Sequence, residues 1–216
     1  MGKSMKKLCV IFLLYASIAA AQTDSAYTIP FASKGNTIEL TVANTSKITT
    51  QAVNVSVSNA PSWVKFDSTK QTIKSLTAST EQTATFAFTI DKSAPVGKGQ
   101  TLTFSITANG QTWTKNIAIK VAAPQTYTLY QNYPNPYNPS TVISYQLSAK
   151  SSVNLKIYDV IGREVANLVS EQQEPGYYQK AFNASRYASG MYIYRLVATD
   201  EQNKQHVYQK KMVLLR

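Results

Sequence analysis

The chain has 216 residues, of which 44% are hydrophobic and 15% are charged, and its formal net charge is +11. This composition supports one or two packed domains and argues against a disordered chain. The basic residues are dispersed, and Lys210-Lys211 is the longest basic run after residue 21, so the sequence does not indicate a nucleic-acid-binding protein, which concentrates its charge.

Residues 1–21 have the three parts of a secretory signal peptide. Lysines come first, an apolar run occupies residues 8–15, and Ala19-Ala20-Ala21 provides a small-residue cleavage site. We expect cleavage before Gln22, because the apolar run is shorter than the roughly 20 residues that a membrane helix needs. Cys9, the only cysteine, lies in this segment. The mature chain therefore has no thiol for a disulfide, a metal site or a nucleophile.

Residues 22–124 contain short runs in which every second residue is apolar, which predicts strands with one buried face. The pair Asn109-Gly110 separates the last two runs and suits a type I′ hairpin turn. We predict an antiparallel sandwich of immunoglobulin (Ig) type with six or seven strands. The apolar positions are Ile38, Leu40 and Val42; Val53, Val55 and Val57; Phe86, Phe88 and Ile90; Leu102, Phe104, Ile106 and Ala108; and Trp113, Ile117, Ile119 and Val121.

Three stretches of this module, 60–66, 76–78 and 94–97, are similar to the Ig-like domains appended to bacterial glycosidases and surface proteins. The resemblance covers roughly residues 36–122 and implies a spacer or an accessory binding module. Trp63 and Trp113 have two interpretations. An exposed indole would be a stacking platform for a sugar, whereas a buried one would fill the core, which is the commoner role of large aromatic residues.

Residues 125–216 begin with a proline-rich segment and carry 12 of the 14 tyrosines. Pro134, Pro136 and Pro139 each fix φ and remove a donor, which predicts a stiff, irregular corner. Beyond it, apolar residues again alternate, with turn signals at Gly162, at 175–176 and at 189–190. We predict a second small antiparallel sandwich of about seven strands. The apolar runs are Ile143, Tyr145 and Leu147; Val153, Leu155 and Ile157; Tyr178 and Phe182; Tyr192, Tyr194 and Leu196; and 207–215.

Four blocks of this module occur in the order typical of one known family. They read Y-Q-N-Y-P-N-P-Y-N-P-S-T at 130–141, V-N-L-K-I-Y-D-V-I-G-R-E-V at 153–165, A-S-G-M-Y-I-Y-R-L at 188–196, and K-K-M-V-L-L-R at 210–216. Together they resemble the C-terminal type A sorting domain carried by cargo of the type IX (Por) secretion system of Bacteroidetes. Family members commonly have Phe where Tyr137 stands. The sorting-motif residues that the resemblance implies are Tyr133, Pro134, Asn135, Pro136, Asn138, Pro139, Asp159, Gly162, Arg163, Gly190, Tyr192, Lys210, Lys211 and Met212.

The resemblance implies a secreted or cell-surface protein that reaches the periplasm and is then recognised by the outer-membrane translocon. Two fates stay open. In many relatives a sortase-like peptidase removes the sorting domain and joins the cargo to anionic lipopolysaccharide, and other cargo is released. A carbohydrate-binding accessory module is the alternative function, with polysaccharide as its partner. The second sandwich also looks like the Ig-like domain of flagellar hook-capping proteins, but hook components do not use a signal peptide.

The residues favour a non-enzymatic protein. A hydrolytic triad needs a histidine, and the single histidine, His206, lies at the start of a predicted strand, where a solvated ring is typical. Two carboxylates from distant positions, such as Asp67 and Asp91, are a less favoured alternative. No spacing typical of a zinc, calcium, phosphate or dinucleotide site is present, so we expect no metal and no cofactor.

Overall fold

The computed structural model describes residues 7–13 and 26–215. Backbone contacts divide the chain into two compact units, one ending at Ala122 and the other beginning at Ala123. Within the described ranges, no helix is long and apolar enough to span a membrane. The predicted cleavage site before Gln22 lies outside the described residues, so it stays a prediction.

The N-terminal unit consists of two sheets around one apolar core. One sheet has the strand order β1-β3-β7-β5 and the other β2-β9-β8-β4-β6. Alternate residues of β7 and β8 are buried, which gives each strand one core face. The strands are β1 (Lys7–Leu13), β2 (Tyr27–Ile29), β3 (Asn36–Ala43), β4 (Thr50–Asn59), β5 (Val64–Phe66), β6 (Lys70–Leu76), β7 (Glu81–Ile90), β8 (Gly99–Ala108) and β9 (Gln111–Val121).

The turn between β8 and β9 has the predicted conformation. Asn109 and Gly110 both have positive φ, at 50° and 74°, as a type I′ turn requires. Two strand pairs differ from the all-antiparallel prediction, because β2 pairs in parallel with β9 and β1 in parallel with β3. The backbone of β1 lies within the segment predicted to be a signal peptide.

The C-terminal unit also has two facing sheets, with the orders β10-β11-β14 and β13-β12-β15-β16. Its core is rich in tyrosine, and Tyr137, Tyr145 and Tyr194 are among the largest fully buried side chains of the described chain. The strands are β10 (Thr128–Leu129), β11 (Ser140–Leu147), β12 (Ser151–Tyr158), β13 (Glu164–Gln173), β14 (Gly176–Asn183), β15 (Gly190–Asp200) and β16 (Gln205–Leu214). The predicted all-β, sandwich-like fold class is confirmed.

Candidate functional site

The proline-rich corner joins β10 to β11 and is held by side chains inside it. Tyr133 and Val142 exchange two backbone hydrogen bonds of 3.0 Å. The buried Asn132 amide donates to the carbonyl of Pro134 at 3.0 Å and to Thr141 Oγ1 at 2.9 Å. The Thr141 hydroxyl in turn donates to the same Pro134 carbonyl at 2.8 Å. The corner is therefore fixed by short polar side chains as well as by proline geometry.

Tyr194 ties this corner to β15. Its hydroxyl donates to the carbonyl of Tyr130 at 2.8 Å and accepts the backbone N–H of Asn132 at 2.9 Å. Burial raises the pKa of Tyr194 to about 12, because the site disfavours the phenolate. The phenol therefore stays neutral and keeps both hydrogen bonds at physiological pH.

The corner also lies along the outer edge of β16, the edge strand of its sheet. Gln131 Nε2 donates to the carbonyl of Lys211 at 2.8 Å, and the N–H of Val213 donates to Asn135 Oδ1 at 2.9 Å. The backbone of Tyr137 contributes two more bonds of 3.0 Å, to the carbonyl of Val213 and from the N–H of Leu215. Four backbone groups of this edge thus have partners in the corner.

The β12–β13 turn is closed by Asp159. One carboxylate oxygen accepts the backbone N–H groups of Ile161 and Arg163 at 3.1 and 2.9 Å, and the other accepts Arg163 Nε at 2.8 Å. The hydrogen bond from the Arg163 side chain is the largest of the effects that lower the pKa of Asp159. Gly162 has φ +84°, a conformation that glycine adopts without strain.

The loop before β15 connects the corner with β13. The N–H of Ala184 donates to the carbonyl of Pro139 at 2.8 Å, and the Tyr187 hydroxyl donates to the carbonyl of Val165 at 2.7 Å. The Tyr192 hydroxyl donates to the carbonyl of Ala188 at 2.8 Å, which folds the loop onto the beginning of β15.

All four motif blocks meet at one end of the unit. Tyr158 lies opposite Ile193, so the turn after Tyr158 lies at the sheet end where β15 begins. At this same end Gly190 lies opposite Leu214, which forms a parallel bridge with Tyr137 in the corner. Segments separated by up to eighty residues in sequence therefore form one local structure.

The outer side of this end carries exposed apolar side chains beside a cation. Met191 lies opposite Val213, and Ile193 lies opposite the exposed Lys211. Met191 is 41% exposed and Leu215 is 52% exposed. We name Met191, Lys211, Val213 and Leu215 the terminal face. Exposed apolar residues grouped in this way are typical of an interaction surface.

The predicted sorting-motif residues divide by exposure. Tyr192 and Met212 are buried, at 8% and 0% exposed, so neither side chain is open to a partner of the folded unit. Pro139, Asp159 and Lys210 are half-buried, and the side of β16 that bears Lys210 also bears the buried Met212 and Leu214. The exposed members are Tyr133, Pro134, Asn135, Pro136, Asn138, Gly162, Arg163, Gly190 and Lys211.

Sequence reasoning did not select Gln131, Asn132, Thr141 or Tyr194, although each lies in a motif block. Asn and Thr side chains in turns often bond to nearby backbone, which was a usable signal for Asn132 and Thr141. The long-range bonds of Gln131 and Tyr194 join positions 80 and 64 residues apart, and no local pattern predicts them.

The two tryptophans of the N-terminal unit differ in exposure. Trp63 is 9% exposed and belongs to the core, while Trp113 is half-buried and packs against that core. Trp63 thus lacks the open indole face that a sugar platform needs. The glycan contact at these residues stays a prediction, and the burial of Trp63 favours the core-filling interpretation.

The strand register separates the two carboxylates considered as a pair. The backbone N–H of Asp67 donates to the carbonyl of Ala87, and the backbone N–H of Asp91 donates to the carbonyl of Trp63. The two bonds lie at opposite ends of β5. Four residues along a strand span about 13 Å, which is wider than the spacing of paired catalytic carboxylates. The Ser93 hydroxyl donates to Asp91 at 2.7 Å and is the main cause that lowers the pKa of Asp91, so this carboxyl is unsuited to act as a general acid.

His206 is packed against other groups rather than freely solvated. Its ring stacks on Tyr127 with centroids 3.9 Å apart, and its Nε2 lies 3.1 Å from Asp200 Oδ2. The hydrogen bond with His206 is the largest of the effects that lower the pKa of Asp200. Among the described residues, no group of three or more His, Cys, Asp and Glu side chains is placed to hold a metal ion.

Solved structures with low sequence identity resemble the chain in part. Latent PorU from Porphyromonas gingivalis is 15% identical to this chain, with a TM-score of 0.35. The matched region covers 76% of this chain and 16% of the PorU chain. A protein of unknown function from Porphyromonas gingivalis W83 is 16% identical with a TM-score of 0.31, covering 82% and 89% of the two chains. CopC from Methylosinus trichosporium OB3b is 12% identical with a TM-score of 0.31, covering 41% and 93%. TM-scores this low carry no argument about function.

No curated protein matches the chain in sequence. Residues 131–214 match the family described as "Secretion system C-terminal sorting domain". The match includes the corner, the β12–β13 turn, the beginning of β15 and all of β16, which are the elements that meet at the terminal face. It supports export of the chain to the cell surface or the medium. Residues 131–214 of this chain are thus a C-terminal sorting domain of the type IX secretion family.

Proposed function

We propose that the C-terminal unit is the export signal of a secreted, non-enzymatic protein and that the N-terminal unit is its cargo, an interaction or spacer module. The observation that carries the proposal is the convergence of the four motif blocks beside the terminal face. The chain first crosses the inner membrane with a cleaved signal peptide. The translocon of the outer membrane then recognises the folded C-terminal unit.

The chemistry of the terminal face suits a protein partner. Met191 and Leu215 offer exposed apolar area, and burial of such area drives association. Lys211 adds one positive charge beside them, which favours a partner carrying a carboxylate and sets the orientation of binding. The expected partner surface is therefore apolar with an acidic group at its margin.

Deletion of residues 123–216 tests the proposal. The full chain and residues 1–122 are expressed in a host that possesses type IX machinery, and the periplasm, the envelope and the medium are assayed. The full chain is expected outside the outer membrane and the shortened chain in the periplasm. Equal amounts of both chains outside the cell would refute the export role.

Mass spectrometry of the exported protein tests the processing steps. Its N-terminus is expected at Gln22, and a chain that retains residues 1–21 would contradict the signal peptide. Its C-terminus distinguishes retention of the sorting domain from its removal. A glycolipid adduct would identify attachment to lipopolysaccharide.

Single substitutions separate recognition from folding. Removal of residues 210–216 is expected to stop export, but it also removes Met212 and Leu214 from the core. Lys211→Ala and Leu215→Ala change exposed side chains, and each is expected to lower export several-fold with unchanged stability. Lys204→Ala, at an exposed position in the β15–β16 turn, is the matched control. Export of all three variants at the wild-type level would exclude the terminal face as the recognition surface.

A further inference from the structure

The outer edge of β16 is covered at its C-terminal end by the proline-rich corner. A strand at the edge of a sheet normally presents unpaired N–H and C=O groups that accept another strand. Here Lys211, Val213 and Leu215 alternate along that edge, and their outward backbone groups bond to Gln131, Asn135 and Tyr137. The corner therefore takes the place of a neighbouring strand over residues 211–215.

The four bonds come from two kinds of group. Tyr137 contributes its backbone N–H and carbonyl, which any residue other than proline supplies. Gln131 contributes its side-chain amide as a donor, and Asn135 contributes its side-chain oxygen as an acceptor. The identities of residues 131 and 135 therefore matter for the edge, whereas that of residue 137 matters for the core.

Asn138 offers a comparison within the same corner. Asn135 and Asn138 are both exposed and both precede a proline. Among the described residues, Asn135 accepts a hydrogen bond from the N–H of Val213 in β16 at 2.9 Å, and Asn138 does not bond to β16. The two asparagines of the repeated Asn-Pro pattern are thus not equivalent.

We propose that the corner is a clasp in which Asn135 and Gln131 are positioning residues that hold residues 211–215 for recognition. With the backbone edge occupied, the export machinery reads the terminal face through its side chains and not by adding a strand to β16. The prolines shape the backbone of the clasp, and Asn138 is not one of its positioning residues. This inference rests on the proposed export function of the C-terminal unit.

Substitution of Asn135 in the full chain tests the clasp. Asn135→Ala removes the acceptor for the Val213 N–H, and amide hydrogen exchange at Val213 is expected to accelerate about tenfold. Export from a host with type IX machinery is expected to fall. Asn138→Ala is the matched control and is expected to change neither the exchange rate nor the export.

Two further variants keep the test decisive. Asn135→Asp retains an oxygen that accepts the Val213 N–H, so it is expected to restore slow exchange and export. Gln131→Ala removes the bond to the Lys211 carbonyl and also the 2.7 Å bond that Gln131 Nε2 donates to the buried Asn132 Oδ1. It is expected to reduce export, and urea denaturation measures the accompanying loss of stability. It provides the readout in the event that Asn135→Ala fails to fold.

The outcomes separate this inference from the proposed function. If the wild-type chain is exported without needing residues 123–216, the export role fails. If export needs those residues but Asn135→Ala and Gln131→Ala are exported normally, the clasp alone is wrong. The clasp is also wrong if Asn138→Ala impairs export as strongly as Asn135→Ala, because the machinery would then be reading the Asn-Pro pattern directly.

Discussion

Two buried tyrosines in the C-terminal unit differ in whether their hydroxyl groups have hydrogen-bond partners. The hydroxyl of Tyr194 has two partners, the carbonyl of Tyr130 and the N–H of Asn132. The hydroxyl of Tyr137 is buried and has no partner among the described residues. Burial raises the pKa of Tyr137 to about 12. A buried polar group without a partner costs stability, whereas a bonded one contributes to it.

The same substitution at these two positions is therefore expected to have opposite effects. Tyr137→Phe removes the unpaired hydroxyl and is expected to raise the free energy of unfolding by about 1 kcal/mol. Tyr194→Phe leaves one N–H and one C=O without their partner and is expected to lower it by about 2 kcal/mol. Urea denaturation measures both, and Tyr133→Phe, at a side chain 82% exposed, is the control. Effects of equal sign would contradict the assignment.

The sequence predicted the corner, but not the partners of Tyr194. The resemblance identified the corner and the Phe common at position 137, which fits a core site. The partners of the Tyr194 hydroxyl lie 62 and 64 residues away, so only the folded chain reveals them. The burial of Met212 could not be predicted either, because the consecutive residues Lys210, Lys211 and Met212 do not indicate which side chain faces the core.

At the scale of elements, the β12–β13 turn depends on one backbone conformation. Gly162 has φ +84°, and a Cβ there would meet no atom within 4 Å. Gly162→Ala is therefore expected to destabilise by about 1 kcal/mol through backbone strain alone. Gly99→Ala is the matched control, since Gly99 is equally free of neighbours and has no positive φ. Equal unfolding midpoints for the two variants would contradict the argument.

Strands with one buried face were predictable, whereas the edge strand β13 was not. The runs in β7, β8 and β15 alternate between core and solvent, and period two reveals them. Strand β13 lies at a sheet edge and pairs with β12 through two register shifts, so its apolar residues do not alternate. The parallel pairing of β2 with β9 leaves no mark in the apolar period.

At the scale of the whole molecule, the two units carry different chromophores. Both tryptophans lie in the N-terminal unit, and 12 of the 14 tyrosines lie after residue 124. Burial raises the pKa values of Tyr137, Tyr145 and Tyr194 to about 12 from an ordinary 10.0. Above pH 10 the unfolded chain loses these protons before the folded unit does. The contribution of these three raised pKa values to the free energy of unfolding is therefore complete below pH 10 and is lost as the pH rises toward 12.

We therefore expect alkaline unfolding of the C-terminal unit between pH 10 and about 12. Tyrosinate absorbance should rise together with loss of the near-UV circular dichroism of tyrosine. Tryptophan fluorescence, which reports on the N-terminal unit, is expected to change separately. Ionisation of all tyrosines near pH 10 with the dichroism intact would show that none of the three phenols is protected.

Strand β16 places Met212 and Leu214, both 0% exposed, in the core of the C-terminal unit. During synthesis, this unit cannot complete its packing until residue 214 has left the ribosome. A polypeptide shortened by premature termination or by a proteolytic cut before that point lacks part of the core, and with it Leu215 of the proposed recognition surface. If the C-terminal unit is the export signal, as proposed, a chain that stops before residue 214 is synthesised but not exported.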